Sequence, residues 1–238
     1  MKLKAVLFDL DGTLLPMDQE EFVKAYFGRL AKFMAPYGYE AKALTDAIWT
    51  STGSMVKNDG SQTNEAAFWQ TFCRIFGKDA MKDEPLFDQF YRQEFPKVRS
   101  VCGYTPKAAE TVDMLKRAGI CMALATNPIF PAIATEERIA WAGISPQDFA
   151  CYTTYENFCY SKPNPHYYEA ILERLQLEPA QCMMVGNDLG EDMVARELGM
   201  DVFLLTDHLI APEDADLSAY PHGDFHALQA YLKERFCL

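Results

Sequence analysis

The chain has 238 residues, 49% of them hydrophobic and 24% charged, an ordinary globular composition that excludes a coiled coil, a collagen and a disordered tail. That length predicts one to two domains and a core that needs neither disulfides nor a structural metal. With 34 acids against 22 lysines and arginines the formal net charge is −12, which disfavours nonspecific binding to nucleic acid or anionic lipid. An anionic small substrate stays compatible with it, because a metal ion or a few local cations override a net charge.

The first element is the run Lys4-Ala5-Val6-Leu7-Phe8-Asp9. It is short, continuous and apolar and stops at acids and a glycine, as a strand buried on both faces of a parallel sheet does. Residues 17–99 read differently. Phe22, Tyr26, Phe27, Leu30 and Phe33-Met34 recur at helical spacing, as do Phe68, Trp69, Phe72 and Ile75-Phe76, and Asp83 to Phe95 also predicts a helix. No strand pattern occurs there, so the segment predicts an all-helical insert after the first strand, long enough for a small domain. Ser51 to Asn64, rich in Gly, Ser, Thr and Asn, predicts a loop between two of its helices. Beyond residue 100, apolar runs at Ile120–Ala125, Cys182–Val185 and Val202–Leu205, and a weaker one at Phe149–Thr153, alternate with helical patterns. One helix opens at Thr105-Pro106, one spans Pro131 to Ala142, one opens at Asn164-Pro165, and one runs from Asp188 to Gly199. The alternation predicts an α/β fold, a doubly wound parallel sheet carrying an inserted helical domain. Residues 1–16 and 100–238 form the core in this reading and 17–99 the insert.

Seven cysteines, an odd number with no Cys-x-x-Cys, predict reduced thiols in an intracellular protein. The N-terminus lacks a signal-peptide pattern and no stretch approaches the length of a membrane span. The expected location is the cytoplasm.

Four clusters carry candidate chemistry, each after a predicted strand, where doubly wound sheets place their ligands. Asp9-Leu10-Asp11-Gly12-Thr13 offers two carboxylates, and a glycine that lets backbone N–H groups around Leu10 and Gly12 approach an anion. Thr126 and Asn127 offer a hydroxyl and an amide to phosphate oxygens. In Ser161-Lys162-Pro163-Asn164-Pro165 a lysine precedes a helix N-terminus, whose dipole also favours an anion. Gly186-Asn187-Asp188-Leu189-Gly190-Glu191-Asp192 crowds three acids, which is costly unless they bind a cation or cap a helix. Each cluster alone also fits ordinary turn and cap chemistry. Together they form an inventory for metal-assisted phosphoryl transfer.

The ordered set, Asp-Leu-Asp-Gly-Thr at 9–13, Thr126, Lys162 and the acids at 186–192, resembles the four motifs of the haloacid dehalogenase superfamily. The resemblance covers the core, about two-thirds of the chain, and the helical insert resembles the family's C1-type cap. It implies a phosphatase in which Asp9 attacks phosphorus to form an aspartyl-phosphate, while Asp11 protonates the leaving oxygen and then activates water. It implies Mg2+ held by Asp9, the Asp11 carbonyl and Asp188, with Thr126 and Lys162 on the phosphoryl group. Many relatives carry aspartate directly after the glycine of the fourth motif. Here Asn187 stands there, which makes Asp188 the expected ligand and leaves Asn187 and Asp192 in supporting positions, with Glu191 a weaker candidate. Asp11 argues against a 2-haloacid dehalogenase and against the phosphonate-cleaving branch. A phosphosugar mutase and a catalytically silent binding module on this fold are the alternatives. The expected partner is a small phosphate ester, not nucleic acid or membrane; the sequence does not give the oligomeric state. His222 and His226 at helical spacing read as structural, His166 as a surface residue, and Cys102 as packing near the return from the insert. The aromatic stripe at 22–33 reads as core of the insert. The loop Lys57-Asn58-Asp59-Gly60 is expected to reach over the site and help select substrate.

Overall fold

The protein is described by a computed structural model over residues 2–238. Six strands, β1 (Ala5–Phe8), β2 (Cys121–Leu124), β3 (Cys151–Tyr152), β4 (Cys182–Gly186), β5 (Asp201–Leu205) and β6 (His222–Gly223), form one sheet in the order β3-β2-β1-β4-β5-β6. Every pairing is parallel, with Phe8 aligned to Leu124 on one side and Val185 on the other. The sheet grows in opposite directions from β1, so the crevice that binds ligands in such folds lies at the carboxyl ends of β1, β2 and β4. The strands read as unbroken apolar runs because both faces are covered. Val6, Phe8, Leu124 and Val185 belong to one buried cluster. Ala5, Leu7, Ala123 and Met184 belong to the other, under Tyr167, Tyr168 and Ile171.

Residues 17–99 hold four α-helices and no strand: α1 (Gln19–Met34), α2 (Ala41–Val56), α3 (Asn64–Phe76) and α4 (Glu84–Gln93), with 3-10 turns after α1, α3 and α4. Asp18 caps α1 through Glu21 N–H and Thr63 caps α3 through Ala66 N–H. The chain enters and leaves this segment side by side: Met17 bridges Cys102, and Gly103 N–H donates to Pro16 O at 2.7 Å. The cluster on the insert's side of the sheet is continuous with the insert's own core through Leu14, Phe22 and Phe95. Of the remaining helices, α5 (Pro106–Arg117), α6 (Ala132–Trp141) and α7 (Pro165–Leu175) follow the sequence pattern, whereas the C-terminal α8 (Phe225–Phe236) was not among the expected elements.

Three expectations change. The segment from Ser51 to Asn64 is not one loop: α2 continues to Val56. Its hydroxyls do not compete with the helix, because Thr45, Thr50 and Ser51 each bond back to the carbonyl four residues earlier, and Leu44, Ala47, Ile48 and Met55 supply a buried stripe. The helix expected from Asp188 starts only at Met193, as a 3-10 turn. The preceding acids cap their own turn, Asp188 Oδ1 accepting from Gly190 and Glu191 N–H. The strand expected at Phe149–Thr153 shrinks to the edge pair Cys151–Tyr152, and β6 had no legible pattern.

Candidate active site

The site begins where β1 ends. Asp9 continues the ladder through its N–H to Val185 O at 2.9 Å, and the chain then turns tightly. Leu10 O accepts from Thr13 and Leu15 N–H, while Gly12 N–H donates to Leu15 O at 2.8 Å. Gly12 sits at φ +84°, and a Cβ there would overlap the Asn187 amide. The glycine therefore serves the turn and the close approach of Asn187, and its own N–H is engaged. Among the described residues, the N–H groups of Leu10 and Asp11 donate to no other backbone group.

Lys162 is brought to Asp9 from 153 residues away. Its ammonium, 1% exposed, donates to Asp9 Oδ1 at 2.8 Å and to Asp192 Oδ1 at 2.6 Å. Burial works against that charge, but Asp192 and Asp9 outweigh it and hold the lysine well above its ordinary range. Burial also pushes the Asp192 carboxyl up; Lys162 pulls it back and the Asp9 charge adds to the rise. Asp192 Oδ2 accepts from Asp188 N–H at 3.0 Å, so one carboxylate positions both the lysine and the turn after β4. The other Asp9 oxygen accepts from Thr13 Oγ1 at 3.0 Å, a hydroxyl also 2.9 Å from Asn187 Oδ1. Asn187 in turn donates to His208 O at 2.6 Å, which fixes its amide beside Thr13.

Thr126 follows β2, buried, its carbonyl held by Thr153 Oγ1 at 2.5 Å and the Tyr167 hydroxyl at 2.8 Å. Asn127 donates to both oxygens of Glu191, at 3.2 and 3.1 Å, while its Oδ1 is buried without a partner. Burial raises Glu191 to about 7, against the pull of Lys162. Asp9, Asp11, Thr126, Asn127, Asn187, Asp188 and Asp192 all line one cavity, which the insert's aromatic residues close on the other side.

Sequence reasoning missed Arg138. It lies on α6, fully buried, with its guanidinium paired to Asp11 Oδ2 and stacked 4.4 Å from the Phe130 ring. Its place in an apolar helical stripe gave no signal, and only a charge on a buried face hinted at a partner. Asp11 Oδ1 is left buried with no partner. Burial raises the Asp11 carboxyl and Arg138 lowers it, with a net rise. Asn64, at the start of α3, was also missed. It donates to Pro128 O at 3.0 Å and Ser161 Oγ at 3.1 Å, joining the loops that carry Thr126 and Lys162.

The discarded histidines stay apart from the site. His166 is exposed and faces Glu169, and His222 bonds Tyr220 O. Residues 57–60 do not line the cavity. Asn58 turns inward to Asn64 Oδ1, and Gly60 packs against the Tyr160 ring. Cys102 is half-buried and packed against the core, as expected, with its thiol pushed up to about 11 by burial. The stripe at 22–33 is core as expected, with Phe22, Tyr26 and Leu30 buried in it, and Phe22, Tyr26 and the partly buried Phe27 also form cavity wall.

Among the described residues no three His, Cys, Asp or Glu side chains converge to hold a metal by themselves. The donors present are hard oxygens: the Asp9 and Asp188 carboxylates and the carbonyl of the intervening Asp11 turn, with the Asp188 Oδ2 taking no protein hydrogen bond among those described. Two carboxylates and a carbonyl fit an ion such as Mg2+, which keeps waters and phosphate oxygens in its remaining positions.

Residues 3–199 match the family described as haloacid dehalogenase-like hydrolase. A phosphoglycolate phosphatase of Vibrio parahaemolyticus is 27% identical over 208 residues, 86% of this chain and 84% of the relative. Among solved structures, a HAD phosphatase from Thermococcus onnurineus superposes with a TM-score of 0.60 at 21% identity, covering 97% of this chain and 98% of that one. A 2-haloacid dehalogenase from Pseudomonas syringae reaches 0.65 at 19% identity, covering 98% and 99%. The fold is thus shared by differently named activities, and the site has to separate them. No described helix is long and apolar enough to cross a membrane.

Proposed function

Because this chain belongs to the haloacid dehalogenase-like hydrolases, and is a hydrolase acting on phosphate esters, we propose that it is a Mg2+-dependent phosphatase of small metabolites working through an aspartyl-phosphate on Asp9. The carrying observation is the buried Lys162, held between Asp9 and Asp192, both of which line the cavity. A lysine so placed neutralises both the nucleophile and the oxygens of a phosphoryl group brought to it. Residues 1–16 and 100–238 form the catalytic core in this reading and 17–99 a cap that closes the cavity. The seven unpaired cysteines suit a reducing compartment, the cytoplasm.

An Asp9 carboxylate oxygen attacks phosphorus while the bond from phosphorus to the substrate oxygen breaks. Lys162, the Thr126 hydroxyl and the Leu10 and Asp11 N–H groups meet the equatorial oxygens. Asp11 gives its proton to the departing oxygen. Arg138 occupies one Asp11 oxygen, so the proton sits on the unpartnered Oδ1, and burial favours the protonated form that this step needs. In the second half the same Asp11 oxygen takes a proton from water. That water's oxygen attacks phosphorus, the bond to Asp9 breaks, and inorganic phosphate leaves. Asp9, Asp188 and the Asp11 carbonyl would hold Mg2+, which when bound offsets charge on the phosphoryl oxygens. Asn187 and Asp192 act through Thr13, Asp188 and Lys162 by orienting them.

The test is phosphate release from 4-nitrophenyl phosphate with Mg2+, with EDTA and with the Asp9→Asn variant. Release that needs the metal and is lost in the folded variant is the expected result. Release that survives in the variant would remove Asp9 as nucleophile.

A further inference from the structure

The cavity over Asp9 holds about 290 Å3, and its far wall is built by the insert from Phe22, Phe27, Trp49, Phe68 and Phe87. No lysine, arginine or histidine lines it, and all of its charged groups are acids at the reaction centre. The two buried cations nearby, Arg138 and Lys162, are engaged by Asp11 and by Asp9 and Asp192, and neither is part of the wall. A substrate carboxylate or second phosphate placed among these rings would be desolvated with no cation to pair it, a heavy penalty.

The wall does carry unspent hydrogen-bond donors. The Trp69 indole N–H is buried without a hydrogen-bond partner, and the Tyr155 hydroxyl beside it belongs to the same cavity wall. Tyr26 and Tyr91 share a single hydrogen bond of 3.0 Å, so only one of their two hydroxyl protons is used between them. Both rings line the cavity. Three buried polar groups thus offer two protons to neutral acceptors on a ligand.

Resting on the phosphatase reading above, we infer that the substrate is the phosphate monoester of an uncharged, ring-bearing alcohol with one or two neutral acceptor atoms, and not of a short hydroxy acid such as glycolate. Aromatic walls suit a flat ring by edge and face contacts. The indole and tyrosine protons select its acceptors, and the missing cation rejects an acid.

Benzyl phosphate and phosphoglycolate, both esters of primary alcohols, test this with Mg2+ present. The expected result is a kcat/KM for benzyl phosphate at least about 100-fold higher. Installing a cation should narrow that ratio at least about tenfold. Thr52→Arg does so on the half-buried cavity side of α2. Gln19→Lys, at the exposed start of α1, serves if Thr52→Arg does not fold. Equal turnover, or a preference for phosphoglycolate, overturns the substrate class and leaves the phosphatase reading standing. Binding separates the two claims. Quenching of tryptophan fluorescence in the Asp9→Asn variant should report benzyl phosphate well below the concentration at which phosphoglycolate has any effect. If the wild-type protein releases phosphate from no ester, the phosphatase reading fails, and this binding preference alone decides whether the cavity assignment holds. Binding of neither ester, or tighter binding of phosphoglycolate, rejects it.

Discussion

Replacing Asn64 by leucine should cost stability and activity together. The residue is fully buried at the first position of α3. Its amide donates to Pro128 O and Ser161 Oγ, and its Oδ1 accepts from Asn58 Nδ2 at 2.8 Å. The backbone docks at the same place, through Asn64 N–H to Phe158 O and Glu65 N–H to Tyr155 O, both at 2.8 Å. Asn64→Leu keeps the volume and the backbone bonds and removes three good side-chain bonds, besides a 3.5 Å contact to Tyr160 O at the limit of bonding. At about 1 kcal/mol each, the loss is about 3 kcal/mol. For a chain of this size that lowers Tm by about 6–12 °C. Ser161 precedes Lys162 and Pro128 follows Thr126 by two residues, so loosening both loops should also lower kcat/KM about tenfold or more. The exposed Gln70→Ala on the same helix should stay within about 0.5 kcal/mol. Urea denaturation and phosphate release on the same preparations give both readings. A cost under about 1 kcal/mol with unchanged kcat/KM would show that α3 is held by its apolar face and its two backbone bonds without the Asn64 side chain.

Lys162→Met leaves Asp9 and Asp192 facing each other without their cation, and should destabilise by about 3–5 kcal/mol. Phosphate release should fall at least about 10³-fold, and near-normal release from a folded variant would contradict the role given to the lysine. Gly186→Ala places a Cβ on the Asp192 carboxylate, a contact that cannot be relieved without moving Lys162. It should cost about 1–3 kcal/mol and most of the activity, measured by thermal unfolding and release. Burial pushes the Cys182 thiol up to about 12, which leaves about one thiolate in ten thousand at pH 8. Alkylation followed by mass spectrometry should find Cys237, which is exposed, modified first and Cys182 last. Early labelling of Cys182 in native protein would contradict its burial.

What the sequence discloses and what it hides divide along a physical line. The sheet was legible because strands buried on both faces leave unbroken apolar runs, and three of those runs are followed closely by residues that meet at the crevice: Asp9, Thr126 and Asp188. The order β3-β2-β1-β4-β5-β6 then needs only parallel, right-handed connections. The insert's composition misled at Ser51–Asn64, since serine and threonine that bond back inside a helix look the same in sequence as loop residues. Strand β6 has two residues, below what any periodicity can show.

The pairings that complete the site were hidden for a different reason. Arg138 and Asp11 are 127 residues apart, and each has a sufficient local explanation: a basic residue in the last turn of a helix, and an acid in an Asp-Gly turn. Asn64 likewise reads as an ordinary polar residue beside the Thr63 cap. Only folding shows that one ties the insert to the loops of Thr126 and Lys162, and that the other leaves a single Asp11 oxygen free. The same holds for the cavity. The aromatic residues of α1 and α3 carry the periodicity of a helical core, and several do pack as core. The sheet's crevice gives their inner faces a second role, as the wall opposite Asp9. The core motifs therefore speak to the reaction, because strand ends fix where those side chains point. The shape of the wall rests on which faces of α1, α2 and α3 are left uncovered by the sheet, and that depends on how the two packed layers meet.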